Sequence, residues 1–188
     1  MALTATIFRV ELDVADVDRG VYLQEQHRLA LHPSEEPERL VARLLAYTLL
    51  WEDGLVFAKD LNDVDEPALW RHDDLGQLAH WVEVGAPTAR RLHIRSKASP
   101  RLSVVVYKGS DDGRDALRRE LQREGRVHRA DAIEVITLPG VMVSEIAEAM
   151  SRSSALTVIR TGDTLQVLVD GVSFDGTLRE GSLQSLLG

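Results

Sequence analysis

The side chains best placed to do chemistry lie between His72 and Arg101. Leu78 to Gly85 reads as a strand, so Glu83 and Gly85 share one face and Val82 and Val84 the other. Asp73 and Asp74 precede it, separated by a turn signal at Leu75-Gly76. An antiparallel hairpin through that turn would carry Asp73 or Asp74 toward the same sheet edge as Glu83. Two facing carboxylates repel unless a proton or cation lies between them. Hard oxygen donors, with the backbone carbonyl of Val84, suit Mg²⁺ or Mn²⁺. The spacing alone also allows Asp73 and Asp74 to be turn residues and Glu83 an exposed sheet charge, and favours that plainer reading. Close behind come Arg90, Arg91, His93, Arg95, Lys97 and Arg101, the densest basic stretch of an acidic sequence. That stretch is either a phosphate-facing surface, with Arg90, Arg91, Arg95 and Arg101 as its contacts, or an ordinary solvated helix face.

Dinucleotide, nucleotide-switch and hydrolase chemistries lose most of their support. There is no Gly-x-Gly-x-x-Gly fingerprint, P-loop, Gly-x-Ser-x-Gly elbow or pair of histidines at metal-ligand spacing. The six histidines, His27, His32, His72, His80, His93 and His128, are scattered and read as surface or structural residues. With no cysteine there is no disulfide, thiolate site or thiol nucleophile, and a reducing compartment is allowed.

The elements that must position these residues follow from periodicity. Leu3 to Val14 and Tyr22 to Leu31 alternate apolar with polar residues and predict a wide hairpin. Ser34 is placed to cap a helix whose first turn takes Glu35, Glu36 and Pro37, and whose apolar spacing runs to Trp51 before Gly54. Acids there complement the helix dipole, and Glu35 with Arg39 makes an ordinary pair one turn apart. A short strand at Leu55 to Phe57 and a helical turn at Glu66 to Trp70 lead to the Leu78 strand. A helix opened by Pro87 then runs to about Ala98. Leu102 to Tyr107, with three consecutive valines, suits a sheet covered on both faces. A surface helix over Asp111 to Glu124, a strand over Ala132 to Leu138 and a helix over Val141 to Arg152 follow. Thr161-Gly162-Asp163 and Asp170-Gly171 divide Leu156 to Leu178 into an antiparallel meander. The last ten residues read as a loose tail. The expectation is one α/β (α+β) domain over residues 1–188. Its mixed central sheet is flanked by helices over 34–152, and β-rich end segments at 1–31 and 154–178 could share a second sheet.

Composition fits an ordinary globular domain, 44% hydrophobic and 28% charged. Arg9, Glu11 and Asp13 interrupt the early apolar stretch, and Leu40 to Trp51 is too short to span a bilayer, so a cytoplasmic protein with no membrane role is expected. A net charge of −8 repels polyanions, so any nucleic-acid partner must meet a local basic patch.

Several blocks carry a resemblance: Met1-Ala2-Leu3 with Ala5-Thr6-Ile7, His32-Pro33-Ser34-Glu35, Glu38-Arg39, Asp65-Glu66-Pro67, and Trp81-Val82-Glu83-Val84-Gly85 followed by Pro87. Through nearly its whole length the chain resembles the YaeQ family of small bacterial proteins. The resemblance implies a variant of the PD-(D/E)xK nuclease core, in which a helix glutamate, a strand aspartate and an acid-x-lysine motif form a Mg²⁺ site for phosphodiester hydrolysis. Carried over, Glu35 or Glu38 supplies the helix acid, Asp73 the first strand acid and Glu83 the second. Gly85 stands where the lysine belongs, with Lys97 the nearest replacement, and His72 stands where the motif has proline. The resemblance thus implies a metal-dependent phosphodiesterase acting on nucleic acid. The alternative is a non-catalytic binding or regulatory module that keeps the scaffold.

Overall fold

In a computed structural model, residues 5–58, 65–108 and 112–186 are described. Two mixed sheets enclose a pair of helices. The first has five strands in the order β10-β9-β8-β1-β2. It joins the expected hairpin, β1 (Thr6–Asp16) and β2 (Val21–Leu31), to the expected meander, β8 (Ser153–Thr161), β9 (Thr164–Val169) and β10 (Val172–Thr177). The two ends of the chain meet through a parallel pairing of β1 with β8, Arg9 opposite Ser153 through Asp16 opposite Arg160. Alternation decides the faces: Val10, Leu12 and Val14 enter the core while Arg9, Glu11 and Asp13 are exposed. The turn between β9 and β10 is built on Asp170 and Gly171, both at positive φ, as a two-residue hairpin of this twist requires.

The second sheet has six strands in the order β11-β7-β6-β5-β4-β3. These are β3 (Val56–Phe57), β4 (Leu69–His72), β5 (Leu78–Val84), β6 (Arg101–Val106), β7 (Glu134–Thr137) and β11 (Arg179–Ser182). The central three, β5, β6 and β7, run parallel, and β3, β4 and β11 are antiparallel to their neighbours. Helices α2 (Ala89–Ala98) and α3 (Asp112–Glu124) make the crossovers and cover one face over Trp81, Leu92, Leu102, Leu117 and Leu121. Between the sheets lie α1 (Pro37–Leu50) and α4 (Gly140–Ala149), packed on each other. From Leu40 to Leu50 every α1 residue is buried, so α1 is a core helix rather than an amphipathic surface one.

Several expectations are corrected. The cap of α1 is Glu36, with Pro37 in the first turn, while the Ser34 hydroxyl meets His32 Nδ1 at 2.6 Å. The cap of α2 is Thr88, whose side chain accepts from the Arg91 amide, so Pro87 precedes the helix. The helical turn expected over Glu66 to Trp70 gives way to a strand, because Trp70 pairs with Trp81 across the β4–β5 ladder. The tail is not loose: β11 extends the sheet beside β7, and Leu183 and Leu186 fill the core under α3. Residues 3 and 4 of the first expected strand and residue 111 of the helix lie outside the described residues. No helix among the described residues is long and apolar enough to cross a membrane.

Candidate functional site at the carboxyl ends of β5 and β6

Parallel strands joined by crossover helices leave a crevice beyond their carboxyl ends, where loops and helix starts converge. Here that crevice is a cavity of about 610 Å³. Its floor is Val84, Gly85, Val106 and Tyr107, and its walls come from α1, the Pro87–Thr88 approach to α2 and the start of α3.

Four cationic residues line it: Arg39 and Arg43 from α1, Arg91 from the first turn of α2, and Lys108 just after β6. Arg39 donates through Nε to Glu35 Oε1 at 3.0 Å and through Nη1 to the Val84 carbonyl at 2.8 Å, tying α1 to the end of β5. Arg43 is 2% exposed and donates to the Ala30 carbonyl at 2.9 Å and to Glu35 at 3.3 Å. Burial pulls its pKa below the usual guanidinium range, and Glu35 opposes the shift. Lys108 pairs with Glu36 at 2.7 Å, and that bond raises its pKa. Burial, the largest cause, raises the pKa of the Tyr107 phenol in the floor, while Arg39 and Lys108 pull it down.

Among the described residues two acids share the cavity, Glu66 and Glu83. Glu83 is buried on an interior strand, not at a sheet edge, and its Oε1 accepts from Trp81 Nε1 at 2.6 Å and from Arg91 Nε at 2.5 Å. Arg91 also donates to the Glu66 carbonyl at 2.7 Å. Gly85 has φ +109, a conformation side chains rarely adopt, and a Cβ there would stand 3.7 Å from Arg39 Nη1.

The structure does not bring Asp73 to Glu83. Asp73 sits in the β4–β5 turn, its Oδ1 accepting from the amides of Leu75 and Gln77 at 3.0 and 2.8 Å. Glu83 is at the other end of β5, about 17 Å away at the rise of an extended strand. Asp74 is exposed in the same turn. Mg²⁺ or Mn²⁺ therefore does not fit the expected donors, since Asp73 is remote, Glu83 is held by Trp81 and Arg91, and the Val84 carbonyl by Arg39. Among the described residues no group of three or more His, Asp or Glu side chains could hold a metal ion.

Lys97 is likewise displaced, exposed in the last turn of α2, while the crevice lies beyond the first. The room over Gly85 is bordered by Arg39 and Tyr107 instead. Glu35 reaches the site only through Arg39 and Arg43, and Glu38 lies in the first turn of α1, near Lys108. The basic stretch divides. Arg91 enters the crevice, Arg90 is exposed on α2, and Arg95 covers the Trp81 ring at 4.3 Å while donating to Asp65. Arg101 lies at the amino end of β6, bonded to Glu52 at 3.3 Å and Glu134 at 3.2 Å. Sequence reasoning missed Arg43, Glu66, Tyr107 and Lys108. Counting the hairpin register outward from Leu75-Gly76 would have put the Asp65-Glu66-Pro67 block beside Glu83.

The family model described as YaeQ protein matches residues 1–177. The uncharacterized YaeQ protein of Salmonella typhi is 44% identical over 108 residues, 57% of this chain and 59% of that protein. That of Escherichia coli K12 is 39% identical over the same lengths. The matched stretch thus spans less than two thirds of these curated relatives. The crystal structure of YaeQ from Xanthomonas axonopodis pv. citri superposes with a TM-score of 0.83 at 32% identity, covering 95% of this chain and 98% of that one. YaeQ from Pseudomonas syringae gives 0.81 at 31% identity, covering 95% and 97%. Sequence and fold agree over nearly the same residues, and the chain belongs to the YaeQ protein family.

Proposed function

We propose that the crevice binds a phosphate-bearing ligand, with a nucleic-acid phosphodiester as the class tested first. One observation carries this: Arg39, Arg91 and Lys108 converge on a single cavity at the start of α2. The first turn of α2 holds Arg90 and Arg91 and no acid, the reverse of what a helix dipole favours. An anion there relieves the repulsion and meets amides that have no partner within the helix. The test is titration with inorganic pyrophosphate and with a short single-stranded oligonucleotide. Arg39→Ala and Lys108→Ala should each weaken binding by about tenfold, as loss of a charge-assisted bond does. Unchanged affinity in the double variant removes the reading.

A second reading is metal-dependent phosphodiester hydrolysis. It is favoured by Glu66 and Glu83 lining one cavity beyond the carboxyl ends of parallel strands. In this reading Lys108, rather than Lys97, is the lysine at the site. Glu66 and Glu83 would be the carboxylates to hold Mg²⁺ or Mn²⁺, which would supply Lewis-acid activation of water, and Arg91 would have to give up Glu83. Cleavage of a short single strand that needs the metal and is lost in Glu66→Gln supports it. No cleavage, or equal cleavage by that variant, leaves binding alone.

A further inference from the structure

The outer face of the five-stranded sheet presents an arrangement that the β5–β6 crevice does not explain. Arg9 of β1 and Arg28 of β2 stand directly opposite in the antiparallel register, and both are exposed. Directly opposed residues share a face, with side-chain roots about 5 Å apart. Arg152, in the link between α4 and β8, is held at the same level. Its carbonyl accepts from the Arg9 amide at 2.8 Å, and the next residue, Ser153, is the parallel partner of Arg9.

The three arginines line one recess of about 570 Å³, along with Thr6, Ile7 and Ser153, and its lining contains no acid. Among the described residues none of the three makes an ion pair or side-chain hydrogen bond. The acid nearest in register is Glu11, two residues along the same face of β1, and it forms no ion pair with them. Arg39, Arg43, Arg91, Arg95, Arg101 and Arg160, by contrast, each meet a carboxylate. None of the acids among the described residues lines the recess.

Like charges directly opposite on a sheet destabilise the pair. Guanidinium forks match phosphate oxygens two at a time, and three forks around one recess surround a tetrahedral dianion. Thr6 and Ser153 add hydroxyls to the lining.

We propose that the recess between Arg9, Arg28 and Arg152 is a second phosphate site, separate from the β5–β6 crevice, that takes a phosphate group of a nucleotide chain or of a small organic phosphate. The site does not depend on the reading of the crevice, and the test keeps them apart. Wild type, Arg9→Gln/Arg28→Gln, Arg152→Gln and Arg39→Ala/Lys108→Ala are titrated calorimetrically with pyrophosphate and, by fluorescence anisotropy, with a labelled single-stranded oligonucleotide. Folding is checked by circular dichroism. The Arg9/Arg28 variant should lose at least tenfold in affinity for one class of site, and Arg152→Gln should lose less, while the crevice variant keeps that class. Loss confined to pyrophosphate identifies a small phosphate ester. Loss confined to the oligonucleotide, with a shallower salt dependence, identifies a nucleic-acid backbone. A further readout is independent of ligand: Arg28→Gln should melt at or above the wild-type temperature without phosphate, and phosphate should raise the wild-type midpoint more than the variant's. Equal binding of both probes by wild type, Arg9→Gln/Arg28→Gln and Arg152→Gln overturns the proposal.

Discussion

Glu83 and Arg91 hold each other across the gap between β5 and α2, with the guanidinium Nε 2.5 Å from a carboxylate oxygen that Trp81 also engages. The same contact neutralises the one cation that α2 sends into the crevice. Glu83→Gln keeps the shape and removes the charge. If the crevice binds anions through its basic residues, this variant should bind pyrophosphate several-fold more tightly by calorimetry. If Glu83 instead holds a metal that bridges to phosphate, affinity in Mg²⁺ should fall. The direction of the change separates the two readings.

Glu35 is the shared acceptor of Arg39 and the buried Arg43. Removing it would leave the Arg43 guanidinium in the core with the Ala30 carbonyl as its remaining acceptor among the described residues. Glu35→Ala should therefore destabilise the fold by about 3–5 kcal/mol, the usual cost of breaking a buried pair on one side. Arg43→Leu, which removes the charge itself, should cost less. Urea denaturation of both variants decides, and a larger loss in Arg43→Leu would contradict the account.

At the amino ends of the parallel strands His80, 0% exposed, joins Glu52 through Nδ1 at 2.5 Å and Ser103 through Nε2 at 2.9 Å. Ser103 also lies 2.9 Å from Glu134, Arg101 bridges Glu52 and Glu134, and Arg71 pairs with Glu52. Neutral His80 donates to Glu52, so the single Ser103 hydroxyl proton is contested between Nε2 and Glu134. Burial, then Arg101, lowers the His80 pKa, with Glu52 and Glu134 opposing. The unfolded imidazole takes its proton near pH 6.5, before the native one does. Stability from this group is thus complete above that pH and declines as pH falls toward the native pKa. Denaturation midpoints between pH 7.5 and 5.5 should fall more in wild type than in His80→Gln, and parallel profiles would count against it.

Gly85 closes β5 at φ +109 between Arg39 and Tyr107. Gly85→Ala should cost about 1–3 kcal/mol in backbone strain, with the space itself tolerating the methyl. A thermal melt indistinguishable from wild type would show that the turn relaxes.

Much of this architecture was legible because periodicity reports faces directly. The alternation of β1 and β2, the Asp-Gly turn before β10 and the valine run of β6 each mapped onto one physical requirement. The site was less legible, since it depends on register. Asp73 is close to Glu83 in sequence, yet a hairpin brings together residues equally far from its turn, which makes Ala68 and its neighbours the partners of the Glu83 end. Lys108 carries no motif, and Arg39 reads in the sequence only as part of the Glu38-Arg39 block and as the partner of Glu35; both matter here because they lie beyond the carboxyl ends of β5 and β6. The tail is not legible in the sequence because Leu183 and Leu186 are apolar at a spacing too short to show a period, and their role comes from the apolar cluster they complete with Leu117 and Leu121 of α3.

The parallel pairing of β1 with β8 also sets an order of events during synthesis. The β1–β2 hairpin can close within microseconds of emerging, as local pairs do. Its apolar face and one edge of β1 then wait until residues 153–160 have been made. Long-range parallel pairing is a slow step. A nascent chain stalled between α1 and α4 would therefore display an unfinished sheet edge, and holding chaperones should crosslink to β1 in that interval and release it once β8 docks.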